Sequence, residues 1–326
     1  MSFFNLLTQD RQPKQYLLKR PNPPANQFDV LPKSIPNQTF RTAMRTILVP
    51  TDFSECSVDA MKYAIHFAGK TERKLLFFHS TFSLIPTSSS NAVYLNAVKS
   101  DRESKLKILT DLVEETYRSL KITRDAGKTK FLVKFGTSVV ENILETLDEQ
   151  FIDLIITGTH GATGFGKFFI GSNTASIIGQ SYCPVLAIPG NHEFNGIKSI
   201  AYASSDLNNL KEELKQIIRI TKKLKASLAI FHITPEADFS SCREKFGSGV
   251  FMESMAGHFK FKDMRLHILD GGKTTLVDAI GDFVRDEKPD ILAMLTRKRG
   301  VLEKVFDPSQ TKEISYQLSV PLMAVK

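Results

Sequence analysis

Gly158, Gly161 and Gly171, with Ser172, Asn173 and Thr174 directly after them, have the types and spacing that could do chemistry in this chain. They lie in "TGTHGATGFGKFFIGSN", residues 157–173. Glycine lets a backbone approach a ligand closely and take positive φ where a turn needs it. A helix opening at Ser172 would present amides without internal partners, at the positive end of its macrodipole. Phosphate is an anion that such a terminus binds. Ser172 and Thr174 bring hydroxyl donors, and Lys167 brings positive charge. The same glycines also fit turn and capping duties, so the spacing leaves both readings open.

Such a loop needs elements to hold it. From Arg45 on, short apolar runs alternate with longer helix-like segments. "TILVP" (46–50), "KLLFFHS" (74–80), "KFLVKFG" (130–136), "DLIITG" (153–158) and "PVLAIP" (184–189) read as strands. Between them lie a helix at 57–70 ending near Gly69, a charged helix at about 96–121, a helix at 138–150 and one at about 172–180. Strands that are apolar throughout and separated by helices predict an α/β fold with a parallel sheet covered on both faces. In such sheets ligands bind beyond the carboxyl ends of the strands, where the strand order reverses. The glycine loop follows the fourth strand at that edge.

The pattern then repeats. "SIAYASSDLNNL" (199–210) answers "TILVPTDFSECS", and "SLAIFHIT" (227–234) answers "KLLFFHST". Further on, Asp153 maps to Asp290 and "CPVLAIP" to "VPLMAVK" at a constant offset of 137 residues. Three matches in order predict two copies of one domain, at 44–190 and 197–326, with the boundary in "GNHEFNG". Residues 1–43 hold six prolines and read as an extended or disordered arm.

The 326-residue chain has a net charge of +8, and +4 of it lies in the arm, from six Lys/Arg against two Asp. The balance is modest, and no interleaving of basic and aromatic residues marks a nucleic-acid module. No stretch approaches the roughly 20 apolar residues of a membrane span. The N-terminus lacks the order of a signal peptide, which makes the cytoplasm the expected location. Cys56, Cys183 and Cys242 are far apart and form no CxxC pair, so a packing role is expected for them.

The glycine loop resembles the signature of the universal stress protein A family: glycine, two residues, glycine, nine residues, glycine, then serine or threonine. Here these are Gly158, Gly161, the stretch from Ala162 to Ile170, Gly171 and Ser172. "ILVPTDFS" and "CPVLAIP" resemble the family's opening and closing strands. The resemblance covers 45–189 and, more weakly, 197–326. It implies two tandem doubly wound domains, each a five-stranded parallel sheet in the order 3-2-1-4-5. It also implies the ATP-binding branch of the family, with a role as a nucleotide-dependent regulator of the stress response. Carried over by position, Pro50, Thr51 and Asp52 lie beside the adenosine, and the backbone of Ser80 touches the base. Thr157, Gly158, His160 and Gly161 meet the ribose and α-phosphate. Gly171, Ser172, Asn173 and Thr174 hold the β- and γ-phosphates, with Mg2+ or Mn2+ bridging them. Asp52 has a competing reading as a cap of the first helix. His79 recurs as His232 in the second copy, which favours a structural role.

The second copy departs from the motif. Leu295, Lys298 and Pro308 replace the three glycines, and only Ser309 and Asp206 answer Ser172 and Asp52. Proline has no amide to offer a phosphate. The nucleotide site is therefore expected in the first copy alone, and "RKR" (297–299) reads as a solvated basic loop. Since one copy connects the same elements without these glycines, the fold is expected not to demand them, which leaves the ligand as their explanation. "DGGKTT" (270–275) resembles the end of a Walker A loop, but His267 stands where the leading glycine belongs.

Two other classes remain as alternatives. One is a slow ATP hydrolase or an adenylyl-transfer enzyme, although "PTDFSEC" after the first strand has no glycine. The other is a scaffold without nucleotide, its copies pairing through their last strands as a pseudo-dimer and two chains pairing further.

Overall fold

Apolar runs bounded by caps and turns become ten strands of one sheet. The structure is a computed structural model that describes residues 45–82, 91–159, 170–272, 275–296 and 320–326. In the first half the strands are β1 (Thr46–Thr51), β2 (Lys74–Thr81), β3 (Thr129–Phe135), β4 (Ile152–Gly158) and β5 (Val185–Ile188). The helices are α1 (Glu55–Thr71), α2 (Asn91–Ser119), α3 (Val139–Glu149) and α4 (Ser172–Gln180). The second half has β6 (Ser199–Ser204), β7 (Ser227–Thr234), β8 (Met264–Asp270), β9 (Ile291–Leu295) and β10 (Leu322–Val325). Its helices are α5 (Leu210–Leu224), α6 (Glu236–Phe246), α7 (Gly249–Phe259) and α8 (Leu276–Glu287).

The sheet order is β3-β2-β1-β4-β5-β10-β9-β6-β7-β8. Each half is thus a parallel 3-2-1-4-5 array, and the halves join where β5 pairs antiparallel with β10, Leu186 opposite Met323. The 137-residue offset is kept in the strand register: Ile155 faces Val185, and Leu292 faces Leu322. The Thr159 amide donates to the Ile188 carbonyl at 2.9 Å, and Thr296 to Val325 at 2.7 Å.

Successive side chains of a strand leave opposite faces. Ile47 and Val49 therefore enter the core shared with α1, α2 and α5, while Leu48 enters that of α3, α4 and α8. Both faces being covered explains the unbroken apolar runs. Residues Met44–Lys326 make one compact unit. Among the described residues no helix is long and apolar enough to cross a membrane. The expected arm at 1–43 lies outside the described residues.

Helix α1 does not stop at Gly69. Thr71 extends its buried stripe, and Glu72 takes the left-handed terminal position at φ 53°. Between β7 and β8 stand two short helices where the described residues of the first half form one long one. "DGGKTT" falls at the β8–α8 junction, and Thr275 there is the N-cap of α8.

Candidate functional site

At the carboxyl edge of the first half, β1 and β4 lie side by side with β2 beyond β1 and β5 beyond β4. This is where the strand order reverses, and an open cleft forms there. Pro50, Thr51 and Asp52 come to it from β1 and its end, Ser80 from β2, and Thr157 and Gly158 from β4. Asn173 and Thr174 of α4 close one side, and Val139 and Ile143 of α3 another.

The β1–α1 turn shapes the floor. Phe53 adopts φ 67°, a left-handed conformation unusual for a non-glycine residue, which swings the chain out of the strand. Its amide donates to Thr51 Oγ1 at 3.0 Å, which pairs with Ser57 Oγ at 2.8 Å. Ser54 is the N-cap of α1, its hydroxyl accepting from the Ser57 amide. Asp52 is exposed at the rim, and its Oδ1 accepts from the Ser54 amide at 3.1 Å and the Ser54 hydroxyl at 2.6 Å. Asp52 therefore buttresses the cap rather than being it.

His79 is held beneath this turn. Its Nδ1 lies 2.9 Å from the Thr51 carbonyl, and its ring stacks on Phe53 at 4.2 Å. Burial holds its pKa below the ordinary value. His232 Nδ1 makes the same contact with the Ser204 carbonyl at 2.9 Å. The contact recurs in both halves, as a structural bond does.

The glycines behave differently from expectation. Gly158 is required by packing: a Cβ there would stand 2.8 Å from Cys56 Sγ and 3.0 Å from the Cys56 carbonyl oxygen. The inference that the fold does not demand this glycine is corrected. In the second half Leu295 stands at this position, and a short 3-10 turn at Leu207–Asn209 precedes α5 where α1 starts directly at Glu55. Gly171 has φ −63°, which any residue adopts, and its amide donates to the Thr159 carbonyl at 2.6 Å. That amide closes the loop and is not offered to a phosphate. The Thr174 hydroxyl donates to the Gly158 carbonyl at 2.9 Å, so its proton also points inward. What α4 presents is its first turn, where the amides of Ser172, Asn173 and Thr174 have no acceptor within the helix. Ser172 and Asn173 are exposed. His160, Gly161 and Lys167 lie outside the described residues, as do Lys298, Pro308, Ser309 and the "RKR" loop.

The cleft also uses residues that pattern reading passed over. Ser57 lies beneath Thr51, and Phe78 and Ile177 complete the wall. Phe78 was legible as the same-face neighbour of Ser80, two residues back on β2. Among the described residues no group of three or more His, Cys, Asp or Glu is placed to hold a metal ion.

In the second half four positions at or behind the cleft turn apolar. By strand and helix register, Ser80, Asn142, Thr157 and Gly158 become Ile233, Ala279, Met294 and Leu295. Ala279, Met294 and Leu295 are buried. The side-chain hydrogen-bonding groups of Ser80, Asn142 and Thr157 are there replaced by apolar side chains.

Comparison with known proteins agrees with this architecture. The family model described as "Universal stress protein family" matches residues 44–189. Universal stress protein MJ0577 of Methanocaldococcus jannaschii is 29% identical over 159 residues, covering 44% of this chain and 94% of the relative. Universal stress protein MJ0531 of the same organism is 27% identical over 153 residues, covering 44% of this chain and 81% of the relative. Among solved structures, a universal stress protein from Archaeoglobus fulgidus matches with a TM-score of 0.61 at 19% identity, covering 86% of this chain and 98% of that one. At that identity the match speaks for the fold.

Proposed function

We propose, from the premise that residues 44–189 belong to the universal stress protein family, that the first half binds ATP in the cleft between β1, β4 and α4. The observation that carries this reading is the convergence of Thr51, Asp52, Ser80 and Thr157 on one cleft against the open first turn of α4. Asp52 at the rim suits ribose hydroxyls, which donate to a carboxylate. The amides of Ser172 and Asn173 suit the phosphates. A bound Mg2+ or Mn2+ would take its ligands from phosphates and water, as hydrated divalent ions do on nucleotides. The protein then acts in the cytoplasm as a nucleotide-dependent regulator of the stress response.

The activity proposed is binding rather than turnover. In this reading Asp52, the carboxylate in the described lining, is engaged with the ribose, and a general base must reach the proton that it removes. The second half, with apolar residues at the positions of Ser80, Thr157 and Gly158, serves as the fixed partner of β5. The two domains, 44–190 and 197–326, thus work as an internal pseudo-dimer with one nucleotide site.

A charge test separates ligand contact from folding. Ser172→Asp with Asn173→Asp puts negative charge at the N-terminus of α4, which favours the helix and repels phosphate. We expect unfolding resistance at least equal to wild type and ATP affinity reduced by more than about tenfold, while adenosine still binds. Unchanged ATP affinity in that folded variant would remove α4 from the site.

A further inference from the structure

Ser80 stands on the cleft wall, and its hydroxyl has a fixed partner behind it. Asn142 Nδ2 donates to Ser80 Oγ at 2.7 Å. Asn142 lies in the first turns of α3, only 3% exposed, and its backbone carbonyl accepts from the Thr146 hydroxyl at 2.7 Å. Its amide is also wedged against the end of β3: a Cβ on Gly136 would come within 2.2 Å of Asn142 Oδ1. The side-chain amide therefore has little room to leave Ser80.

A hydroxyl carries one proton and two lone pairs. With one lone pair occupied by Asn142, the proton of Ser80 is left to donate. Among the described residues none is placed to take it, and Ser80 faces the cleft. We propose that Ser80 is a specificity-determining residue that donates a hydrogen bond to an acceptor nitrogen of the bound base, and that Asn142 is the positioning residue that sets the direction of that donor. This rests on the nucleotide reading above. The second half has lost both members of the pair, Ile233 standing at the position of Ser80 and Ala279 at that of Asn142.

The chemistry selects bases by polarity. Adenine offers imine nitrogens, which accept. Guanine presents an N–H donor at N1, where adenine has an acceptor, and would set donor against donor if that edge faces Ser80. Such a mismatch is costly because it leaves polar groups unpaired.

The test uses the full chain and ATP beside its 1-deaza, 3-deaza and 7-deaza analogues, each lacking one ring acceptor. Wild type should bind one analogue more weakly than ATP, by about 2- to 10-fold, the effect of one neutral hydrogen bond. Ser80→Ala should lose the same factor toward ATP and nothing further toward that analogue. Asn142→Asp supplies an acceptor that takes the Ser80 proton. It should weaken ATP and shift the preference toward a nucleotide with N1–H. The new carboxylate sits near the start of α3, where negative charge is favoured.

A Ser80→Ala protein that still shows the full deaza penalty overturns the role of Ser80 while leaving the ATP site standing. Asn142→Asp with wild-type base preference overturns the role of Asn142. Wild type that binds no ATP at all overturns the nucleotide reading and this inference together.

Discussion

Gly158→Ala should destabilise this protein in the absence of any ligand. The new Cβ would stand 2.8 Å from Cys56 Sγ and 3.0 Å from the Cys56 carbonyl oxygen, both inside normal contact distance. The carbonyl belongs to the first turn of α1, fixed by the Ser54 cap, so it cannot move aside alone. Forcing carbon into a packed site costs about 1–3 kcal/mol. The sulfur can be trimmed, the carbonyl cannot. Cys56→Ala combined with Gly158→Ala should therefore be less destabilised than the sum of the single changes, by roughly 0.5–3 kcal/mol, the range for residues in contact. Urea unfolding of ligand-free protein, followed by far-UV circular dichroism, measures all four corners of the cycle. A Gly158→Ala protein with the wild-type midpoint, unable to bind ATP, would refute the packing argument and return this glycine to the ligand alone.

Other perturbations have defined outcomes. Ser54→Ala removes the α1 cap and the hydroxyl that donates to Asp52, and should cost about 0.5–2 kcal/mol of stability in the same unfolding assay. Burial lowers the pKa of His79 from its ordinary 6.5, so the unfolded chain binds the proton more readily. This contribution is present above that ordinary value and is lost as pH falls through the folded value. His79→Asn, which keeps a donor for Thr51, should flatten the acid limb of a stability-against-pH profile; an unchanged slope would argue against it. Burial pushes the Cys183 thiol up to about 12. With iodoacetamide at pH 8, Cys183 should stay unlabelled by mass spectrometry until urea unfolds the protein, whereas the half-exposed Cys242 reacts first.

The strands were legible because both faces of the sheet are covered, which forces unbroken apolar runs such as "TILVP". The start of α4 near Ser172 was legible as well from the run of Ser172, Asn173 and Thr174, although Gly171 is the N-cap. Contacts between distant segments were not. Gly158 and Cys56 are far apart in sequence, and nothing local to either shows that β4 runs against the first turn of α1. The bond between Asn142 and Ser80 joins residues 62 apart, and helical periodicity could say only that Asn142 shares the buried face of α3. The end of α1 was misplaced because glycine is the usual left-handed terminator, whereas this helix ends on Glu72.

The proposed function puts one nucleotide in the first half of this chain and none in the second. Isothermal titration of the full chain with ATP in the presence of Mg2+ tests it most directly. One ATP per chain is the predicted result, unchanged by Leu295→Ala in the second half and reduced by Ser172→Asp with Asn173→Asp in the first. Two ATP per chain, or no binding at any concentration where the protein is folded, would contradict it.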